Sequence, residues 1–329
     1  MVGVTRVLDW KVRNGIYAGA FVQMNIKAVA VLILGVLAIS VMDAVIKFLS
    51  GDYALHQIVF TRAIISVSIL LPFLMKHGLA AARTRRPLAH LVRGLLLVTA
   101  NMCFYTGLAS LPLAEASAIV FLAPIFITFF SWSFLGERFG PMRWVAVLIG
   151  LAGMLCVVQP FEGEMEVAYL WPFAAAFCYA GFNTATRYLS ATESASLLAV
   201  MTQVSFILVS GLIGLTLGHG HFSGHSDAGL EFLLRAWRWP EQSDLLFFLG
   251  LGVVSSVIAF SLSYAYRNAE ASFLAPFEYV VLPFVLLWGY LLFSEFPNAL
   301  ALLGIALIAL GGFVVWLDSA RTPPKPAAG

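Results

Sequence analysis

Three charged side chains lie within long apolar stretches near the start of the chain: Asp43, Lys47 and Arg62. If such a stretch crosses a membrane, an ionisable side chain at its centre costs at least about 2.5–3.5 kcal/mol, so it generally faces a cavity or a partner. Lys47 lies one helical turn after Asp43, so Asp43 could pair with Lys47, with Arg62 or with both. An Asp43–Arg62 pair would either lock two helices together or form a charged surface that recognises a zwitterion or exchanges a proton. Lys47 would alternatively be an anchor at the membrane interface.

Glu278 is the strongest single candidate for a coupling residue. It lies between Pro276 and Pro283, which remove backbone hydrogen-bond donors and loosen the helix around it. Desolvation favours the neutral form of a buried carboxyl group, which suits a protonation step or contact with a cationic group of a substrate. The alternative is a hydrogen bond between helices made by the neutral acid, and the sequence leaves both open.

Amide and aromatic side chains add further candidates. Asn101 and Tyr105 share one face of the third apolar stretch because they are one helical turn apart. Tyr264, Tyr279 and Trp288 could stack on a planar substrate or contact a cation through their ring faces. The same side chains could instead join helices or fill the core, since amide bonds between membrane helices contribute only about 0.6 kcal/mol.

The segment 218–244 carries a loose group of potential metal ligands: His219, His221, His225 and Asp227. Loop histidines without a surrounding shell of partners usually face water, so we expect no metal site. Residues 230–239 contain two Trp and two Arg and predict a short amphipathic helix on the membrane surface. The apolar stretches hold no HExxH motif, Ser/His/Asp set or cluster of acids, so the sequence predicts no catalytic residue and no cofactor.

The composition shows what must position these side chains. Hydrophobic residues make up 61% of the 329 residues and charged residues 11%, whereas about a quarter of the residues of a soluble domain are charged. Ten apolar runs of spanning length lie near 27–49, 55–75, 88–109, 113–135, 142–159, 165–188, 193–217, 245–266, 270–293 and 297–317. They do not alternate as barrel strands do, so the sequence predicts an all-α integral membrane protein with ten transmembrane helices.

The basic residues are distributed unevenly between the two sides of these spans. If the spans alternate in direction, the connections on one side hold only Arg235 and Arg238, and almost all other Lys and Arg lie on the opposite side. Cytoplasmic connections retain an excess of basic residues, so both termini are predicted to be cytoplasmic. Residues 1–24 form a cytoplasmic leader, and the sequence leaves open whether translation starts at Met1 or Met24. The net charge of +2 favours no nucleic-acid partner.

The chain contains an internal repeat. AEASAIVFLAP begins at Ala114 and AEASFLAP begins at Ala269, and the span after each ends at an acid, Glu137 or Glu295. Fainter similarity links Asp43-x-x-x-Lys47 with Asn183-x-x-x-Arg187. Each copy has five helices, an odd number, so the second copy lies inverted relative to the first, as in many secondary transporters.

A set of short motifs also occurs in order: Arg62, Arg93-Gly-Leu, Ser110-Leu-Pro-Leu-Ala-Glu, Pro124 and Leu-Gly-Glu137, then Tyr266-Arg-Asn-Ala-Glu-Ala-Ser and Pro276-Phe-Glu-Tyr279. Together they resemble the drug/metabolite transporter superfamily with its paired EamA repeats, over roughly residues 24–317. The first copy is most similar to the bacterial branch that includes S-adenosylmethionine uptake and riboflavin transporters. The resemblance implies a ten-helix transporter of small molecules.

The sequence therefore predicts a secondary transporter and not an enzyme. The substrate would be a small polar organic metabolite, such as an amino acid, a nucleoside-like compound or a vitamin, moved across the bacterial inner membrane by alternating access. Coupling would be to protons or by exchange, and the direction stays open. The alternative is an intramembrane enzyme acting on a lipid or small molecule.

The predicted organisation has four parts: a leader at 1–24, a first five-helix repeat at 25–160, a second at 161–317 with an outer loop at 218–244, and a cytoplasmic tail at 318–329. The expected partners are the substrate and the lipid bilayer. Ten helices suffice to enclose a site, so a monomer or a homodimer would serve.

Overall fold

The computed structural model describes residues 2–75, 84, 86–123, 125–126, 129–130, 133, 141–159, 167–190, 195–268 and 277–321. Within these ranges every regular element is a helix. The α-helices are α1 (Val2–Leu49), α2 (Leu55–Met75), α3 (Pro87–Ser110), α4 (Leu113–Val120), α5 (Pro141–Val158), α6 (Leu170–Ser190), α7 (Ala195–Leu217), α8 (Ala228–Leu234), α9 (Leu245–Asn268), α10 (Val281–Phe293) and α11 (Ala299–Arg321).

Five of these helices are long and apolar enough to cross a membrane: Ile26–Leu49, Leu55–Pro72, Pro87–Ser110, Leu197–Leu217 and Leu245–Leu262. Shorter apolar helices lie at Trp144–Val158, Val281–Phe293 and Ala299–Val314. The all-helical membrane fold expected from the composition is therefore present. The predicted spans at 113–135 and 270–293 extend into residues outside the described ranges.

The link between α3 and α4 is a sharp break at Leu111 and Pro112. The Leu111 N–H donates to the Gly107 carbonyl at 2.9 Å, which completes the last turn of α3. Both link residues then take extended backbone conformations, which proline favours in itself and in the residue before it. The chain reverses here and α4 begins at Leu113.

The helices pack in a pattern that links the early and late parts of the chain. α3 packs on α6, and α1 packs on α9. α2 contacts both α7 and α9, and α3 also contacts α7. α4 contacts α6 and α10, and α10 in turn contacts α1. The bundle is therefore not two separate groups of helices but an interleaved set.

α5 and α11 cross through their glycines. A Cβ atom on Gly153 would lie 2.7 Å from the carbonyl oxygen of Gly304, and one on Gly311 would lie 3.0 Å from that of Ala146. Residue numbers rise along one helix as they fall along the other, so the two helices are antiparallel. Small residues let two membrane helices approach backbone to backbone, which explains the glycines in this pair.

Residues 50–54, 111–112, 218–244 and 294–298 gather at one end of the bundle, called the loop end below. Three bonds join these connections: Arg235 Nη1 to the Ser50 carbonyl at 2.9 Å, Gly229 N–H to Ser110 Oγ at 3.0 Å, and Leu113 N–H to Glu295 Oε2 at 3.1 Å. The indole N–H of Trp237 donates to His56 Nδ1 at the start of α2. The loop end is thus closed over by side chains and backbone.

The short helix predicted at 230–239 is present, but its bounds differ. It is α8, and Asp227 caps it by accepting the Leu230 N–H at 2.7 Å. Phe232 is 1% exposed because α8 docks its apolar side against α3. Its placement on the outer surface stays a prediction, and Trp239, beyond the helix, is 94% exposed.

Candidate functional site

A cluster of polar side chains lies inside the bundle where α1, α2, α3 and α9 meet. Tyr105 donates its hydroxyl to Asp43 Oδ1 at 2.8 Å, and Arg62 Nη2 donates to Asn101 Oδ1 at 2.7 Å. Ser255 on α9 lies 3.4 Å from Arg62 Nη1. Asp43 and Arg62 are each 5% exposed and Tyr105 is 1% exposed, so both charges are held away from bulk solvent. The sequence predicted Asp43 with Arg62 and Asn101 with Tyr105 as two separate pairs of candidates, and the structure brings the two pairs together.

The hydrogen-bond acceptors of the Arg62 guanidinium are all neutral groups. Its Nη1 lies 2.7 Å from the sulfur of Met42, and its central carbon lies 5.8 Å and 5.2 Å from the rings of Tyr105 and Phe206. Its Nε makes no hydrogen bond. The aromatic faces stabilise the positive charge without using an N–H. Part of the donor capacity of this side chain therefore remains unused.

Asp43 does not form the direct ion pairs that the sequence suggested. Its carboxylate accepts from Tyr105, and it interacts electrostatically with Arg62 without a direct ion pair. Lys47 points away to another partner, Glu295. The pairing of Asp43 with Lys47, one of the alternatives that the sequence left open, was wrong, because Lys47 lies one helical turn nearer the loop end and reaches Glu295 there.

Lys47 and Glu295 instead form an ion pair with backbone support. Lys47 Nζ lies 2.7 Å and 2.8 Å from the two carboxylate oxygens and also donates to the Leu111 carbonyl at 2.6 Å. The Leu113 N–H adds a bond to Glu295. The Lys47 side chain is 9% exposed, so the alternative of an interfacial anchor was also wrong. The pair joins the end of α1 to the α3–α4 link and to the short segment that follows α10.

Glu278 lies apart from the cluster of Asp43 and Arg62. It interacts electrostatically with the phenols of Tyr179 on α6 and Tyr279 beside it. The Tyr279 ring stacks on Phe121 at a centroid distance of 4.7 Å, and its hydroxyl has no hydrogen-bond partner. Glu278 and Tyr279 thus form a second polar region, between α6 and the start of α10.

The remaining predicted aromatics are Trp288 and Tyr264. Trp288 donates its indole N–H to Ser40 Oγ at 3.2 Å, which connects α10 to α1. The Tyr264 ring lies 6.1 Å from that of Phe260 on the same helix. For the loop histidines, no group of at least three metal-capable side chains occurs in the described part of the chain.

Sequence reasoning missed Ser255, Met42 and Phe206 as neighbours of Arg62. A single serine, methionine or phenylalanine in an apolar helix carries no signal, because such residues are common there. The sequence also did not predict the hydrogen-bond partners of the motif residue Arg93. Its guanidinium bonds the hydroxyls of Thr186 at 2.7 Å and Thr202 at 3.0 Å, which ties α3 to α6 and α7.

A broad cleft of about 890 Å³ opens between the beginning of α3 and the end of α6. Its walls are mainly apolar and include Val92, Phe130 and Phe177, and Arg86 lies at its rim. This cleft is at the end of the bundle opposite the loop end. The two ends of the described bundle therefore differ. An ion pair joins the connections at the loop end, whereas the opposite end contains an open apolar cleft.

A helical bundle of membrane-spanning length with buried charges at its centre defines a multi-pass membrane protein of the transporter type. Residues 26–159 match the EamA-like transporter family. A riboflavin transporter of Rhizobium johnstonii is 32% identical over 78% of this chain and 79% of its own length. The chain therefore belongs to the EamA-like transporter family, within the drug/metabolite transporter superfamily, and is not an enzyme.

Other relatives are named for different substrates. The S-adenosylmethionine uptake transporter of Rickettsia felis is 26% identical over 84% of this chain and 87% of its own length. The pseudopaline exporter CntI of Pseudomonas aeruginosa is 30% identical over 82% of this chain and 89% of its own length. A solved crystal structure aligns with a TM-score of 0.60 and 19% identity over 92% of this chain and 98% of its own, which shows a common fold alone.

Proposed function

We propose that this protein is a secondary transporter of a small polar organic metabolite in the bacterial inner membrane. The observation that carries the proposal is the buried cluster of Asp43, Arg62, Asn101 and Tyr105, which spans three helices and borders a fourth. Polar groups at this depth are expensive, and their usual role in transporters is to bind the substrate or the coupling ion. The relatives that carry riboflavin or S-adenosylmethionine support a small metabolite as cargo.

The proposal includes two five-helix copies, residues 25–160 and 161–317, with the second inverted. In that arrangement α1 to α5 correspond to α6, α7, α9, α10 and α11. The packing supports it, because contacts occur in corresponding pairs: α1 on α9 with α6 on α3, and α2 on α9 with α7 on α3. α1 on α10 corresponds in the same way to α6 on α4.

The glycine crossing supports the same relation. Gly153 and Gly311 follow the repeated acids at equal distances in the sequence. Gly153 packs on Gly304, and Gly311 packs on Ala146. Exchanging the two copies turns one contact into the other, as an approximate two-fold axis in the membrane plane would.

In the proposed orientation both termini are cytoplasmic and the loop end faces outward. The uneven distribution of Lys and Arg supports this, because the loop-end connections carry few of them. The ion pair of Lys47 and Glu295 then closes the outer end, and the cleft beside α3 and α6 opens inward. Alternating access would require these two conditions to reverse.

Glu278 is proposed as the coupling residue, for protons or for substrate exchange. It interacts with the phenols of Tyr179 and Tyr279, and it belongs to the second copy, whereas the charged cluster is formed mainly by the first.

The transporter needs no second chain to form either polar region, so we propose that the monomer is the working unit.

Transport into proteoliposomes tests the proposed function. The purified protein would be reconstituted and offered labelled amino acids, nucleosides, riboflavin and S-adenosylmethionine. We expect saturable uptake of one class, reduced at least about tenfold by Arg62→Gln or Asn101→Ala, since each change removes a bond to a charged group. Ser68→Ala, an exposed position farther along α2, is the matched control. Absence of uptake for every class, or unchanged uptake in both site variants, would refute the proposal.

A further inference from the structure

We propose that the buried cluster binds an amino-carboxylate, with the carboxylate of the substrate on Arg62 and its ammonium group on Asp43. This assignment rests on the proposed transport function and narrows its substrate class. It is carried by the way the two charges are held close together but left without each other as partners.

Arg62 has the surroundings of a receptor for an anion. A guanidinium has five N–H donors and stays charged at any pH that a protein meets. Here its hydrogen-bond acceptors are an amide oxygen, a hydroxyl and a thioether, and Nε has none. Among the described residues, this Nε is the buried guanidinium nitrogen left unpartnered. A carboxylate would supply the charged hydrogen-bond acceptors that the protein itself does not direct at this guanidinium.

Other buried or half-buried cations in the structure do have their partners. Lys47 has both oxygens of Glu295, and Arg93 is bonded by two threonine hydroxyls and the Leu198 carbonyl. All three cations also lie over an aromatic ring, so aromatic contact does not distinguish Arg62. What distinguishes it is its Nε, which is buried without an acceptor and is left for another group.

Asp43 supplies the complementary charge. It accepts a hydrogen bond from the Tyr105 hydroxyl, and no cation of the described chain forms a direct ion pair with it. Tyr105 contacts both charges, because its hydroxyl donates to Asp43 while its ring faces Arg62. A zwitterion with one ammonium and one carboxylate matches this arrangement and adds no net charge to the site.

The second copy shows that the scaffold does not require these charges. Asn183 corresponds to Asp43, and Thr202-Gln203 corresponds to Thr61-Arg62 in the proposed repeat. Gln203 is 6% exposed, so an uncharged amide fills the corresponding buried place. Since the same fold is built with amides in one copy, packing alone does not explain an acid and a guanidinium in the other. Binding of a zwitterionic ligand explains both charges.

Paired ligands provide the test. The melting temperature of the purified protein would be measured with each amino acid and its carboxamide, with S-adenosylmethionine and its decarboxylated form, and with riboflavin, which has no carboxylate. A ligand that binds only the folded state raises the melting temperature. We expect an amino-carboxylate to raise it and the partner without a carboxylate to bind at least about tenfold more weakly.

Variants then locate the two charges. Arg62→Gln should abolish the preference for the acid over its amide, and Asp43→Asn should abolish the preference for ligands with a free ammonium group. Ser68→Ala should leave both preferences intact. The comparison of acid and amide uses the unaltered protein, so it stays decisive even if a variant fails to fold.

The outcomes separate this inference from the proposed function. Specific binding of riboflavin, or of an amide as tightly as its acid, would overturn the amino-carboxylate assignment and leave a metabolite transporter in place. A panel in which no ligand of any class binds would overturn both.

Discussion

Lys47 and Glu295 are 248 residues apart in the sequence, yet Lys47 Nζ lies within 2.8 Å of both carboxylate oxygens of Glu295. The pair joins the end of α1 to the residue that follows the left-handed Ser294 at the end of α10. It also holds the backbone of the α3–α4 link through Leu111 and Leu113. Three connections at the loop end thus depend on one partly buried ion pair.

The first prediction concerns this pair. Glu295→Gln should lower the free energy of unfolding by about 1–2 kcal/mol, because Lys47 keeps its charge with fewer partners. Adding Lys47→Met should cost less than the sum of the single changes, with a coupling energy above about 0.5 kcal/mol. Unfolding in mixed detergent micelles measures both. The exposed pair of Arg238 and Asp52, at 44% and 62% side-chain exposure, is the matched control and should couple by less than about 0.5 kcal/mol.

The second prediction concerns the bond between Tyr105 and Asp43. Tyr105→Phe should destabilise the protein by about 1–3 kcal/mol, because it leaves a buried carboxylate without its donor. Transport should fall as well, since the ring alone no longer fixes Asp43. Tyr290→Phe removes a hydroxyl from a residue 61% exposed and should change stability by less than about 0.5 kcal/mol. Wild-type melting and transport in Tyr105→Phe would contradict the role given to this tyrosine.

The third prediction concerns the crossing of α5 and α11. Gly153→Ala should destabilise the protein by about 1–3 kcal/mol, because its Cβ atom would press on the Gly304 carbonyl at 2.7 Å. Gly250→Ala in α9 is the control: a Cβ atom there meets open space, and alanine should stabilise the helix by up to about 1 kcal/mol. Melting of both variants in the same detergent decides. If the two substitutions change the melting temperature equally, the backbones of α5 and α11 are not tightly packed at their crossing.

The fourth prediction concerns the acid sensitivity of the loop 218–244. Backbone N–H groups of Gly224 and His225, together with Arg235, hold the pKa of Glu231 below its ordinary value of 4.5. Because the pKa of Glu231 is lower in the folded state, its ionised form stabilises the folded loop at pH values above the ordinary pKa. This stabilisation is lost as the pH falls through the pKa of the folded state. Protease cleavage within 218–227 should therefore increase below about pH 4.5, and Glu231→Gln should remove that dependence. Cleavage independent of pH in the unaltered protein would rule this out.

The fifth prediction concerns Glu278. Glu278→Gln keeps the shape of the side chain but cannot exchange a proton. Uptake driven by a proton gradient should be lost in this variant, whereas exchange of labelled for unlabelled substrate should persist if Glu278 only couples the proton. Glu241→Gln at the exposed loop end serves as the control. Proton-driven uptake at the wild-type rate would remove Glu278 from the coupling role.

Local sequence carried most of the information about the helices and part of that about the cluster. Apolar runs determine where helices can cross a membrane, and helix spacing placed Asn101 and Tyr105 on one face. The similar depth of Asp43 and Arg62 in neighbouring spans brought them to one region. The tyrosine between them was not foreseeable, because its position depends on how α3 rotates against α1 and α2.

Long-range partners account for what the sequence could not predict. Local reasoning considered Asp43, only one turn away, as a partner of Lys47, or an anchoring role at the membrane interface, and did not consider Glu295. The choice is made by the chain reversal after α10, which brings a distant carboxylate to the end of α1. Likewise, the local sequence of α8 does not indicate that α3 covers Phe232.

The crossing of α5 and α11 constrains how the whole bundle can change shape. Its contact atoms are backbone, so no rotamer change can let the two helices slide or spread apart. If the protein works by alternating access as proposed, we expect the other helices to rock about this fixed crossing. Distance probes placed on α5 and α11 should then report a constant separation, against which a change in the separation of Lys47 and Glu295 can be measured.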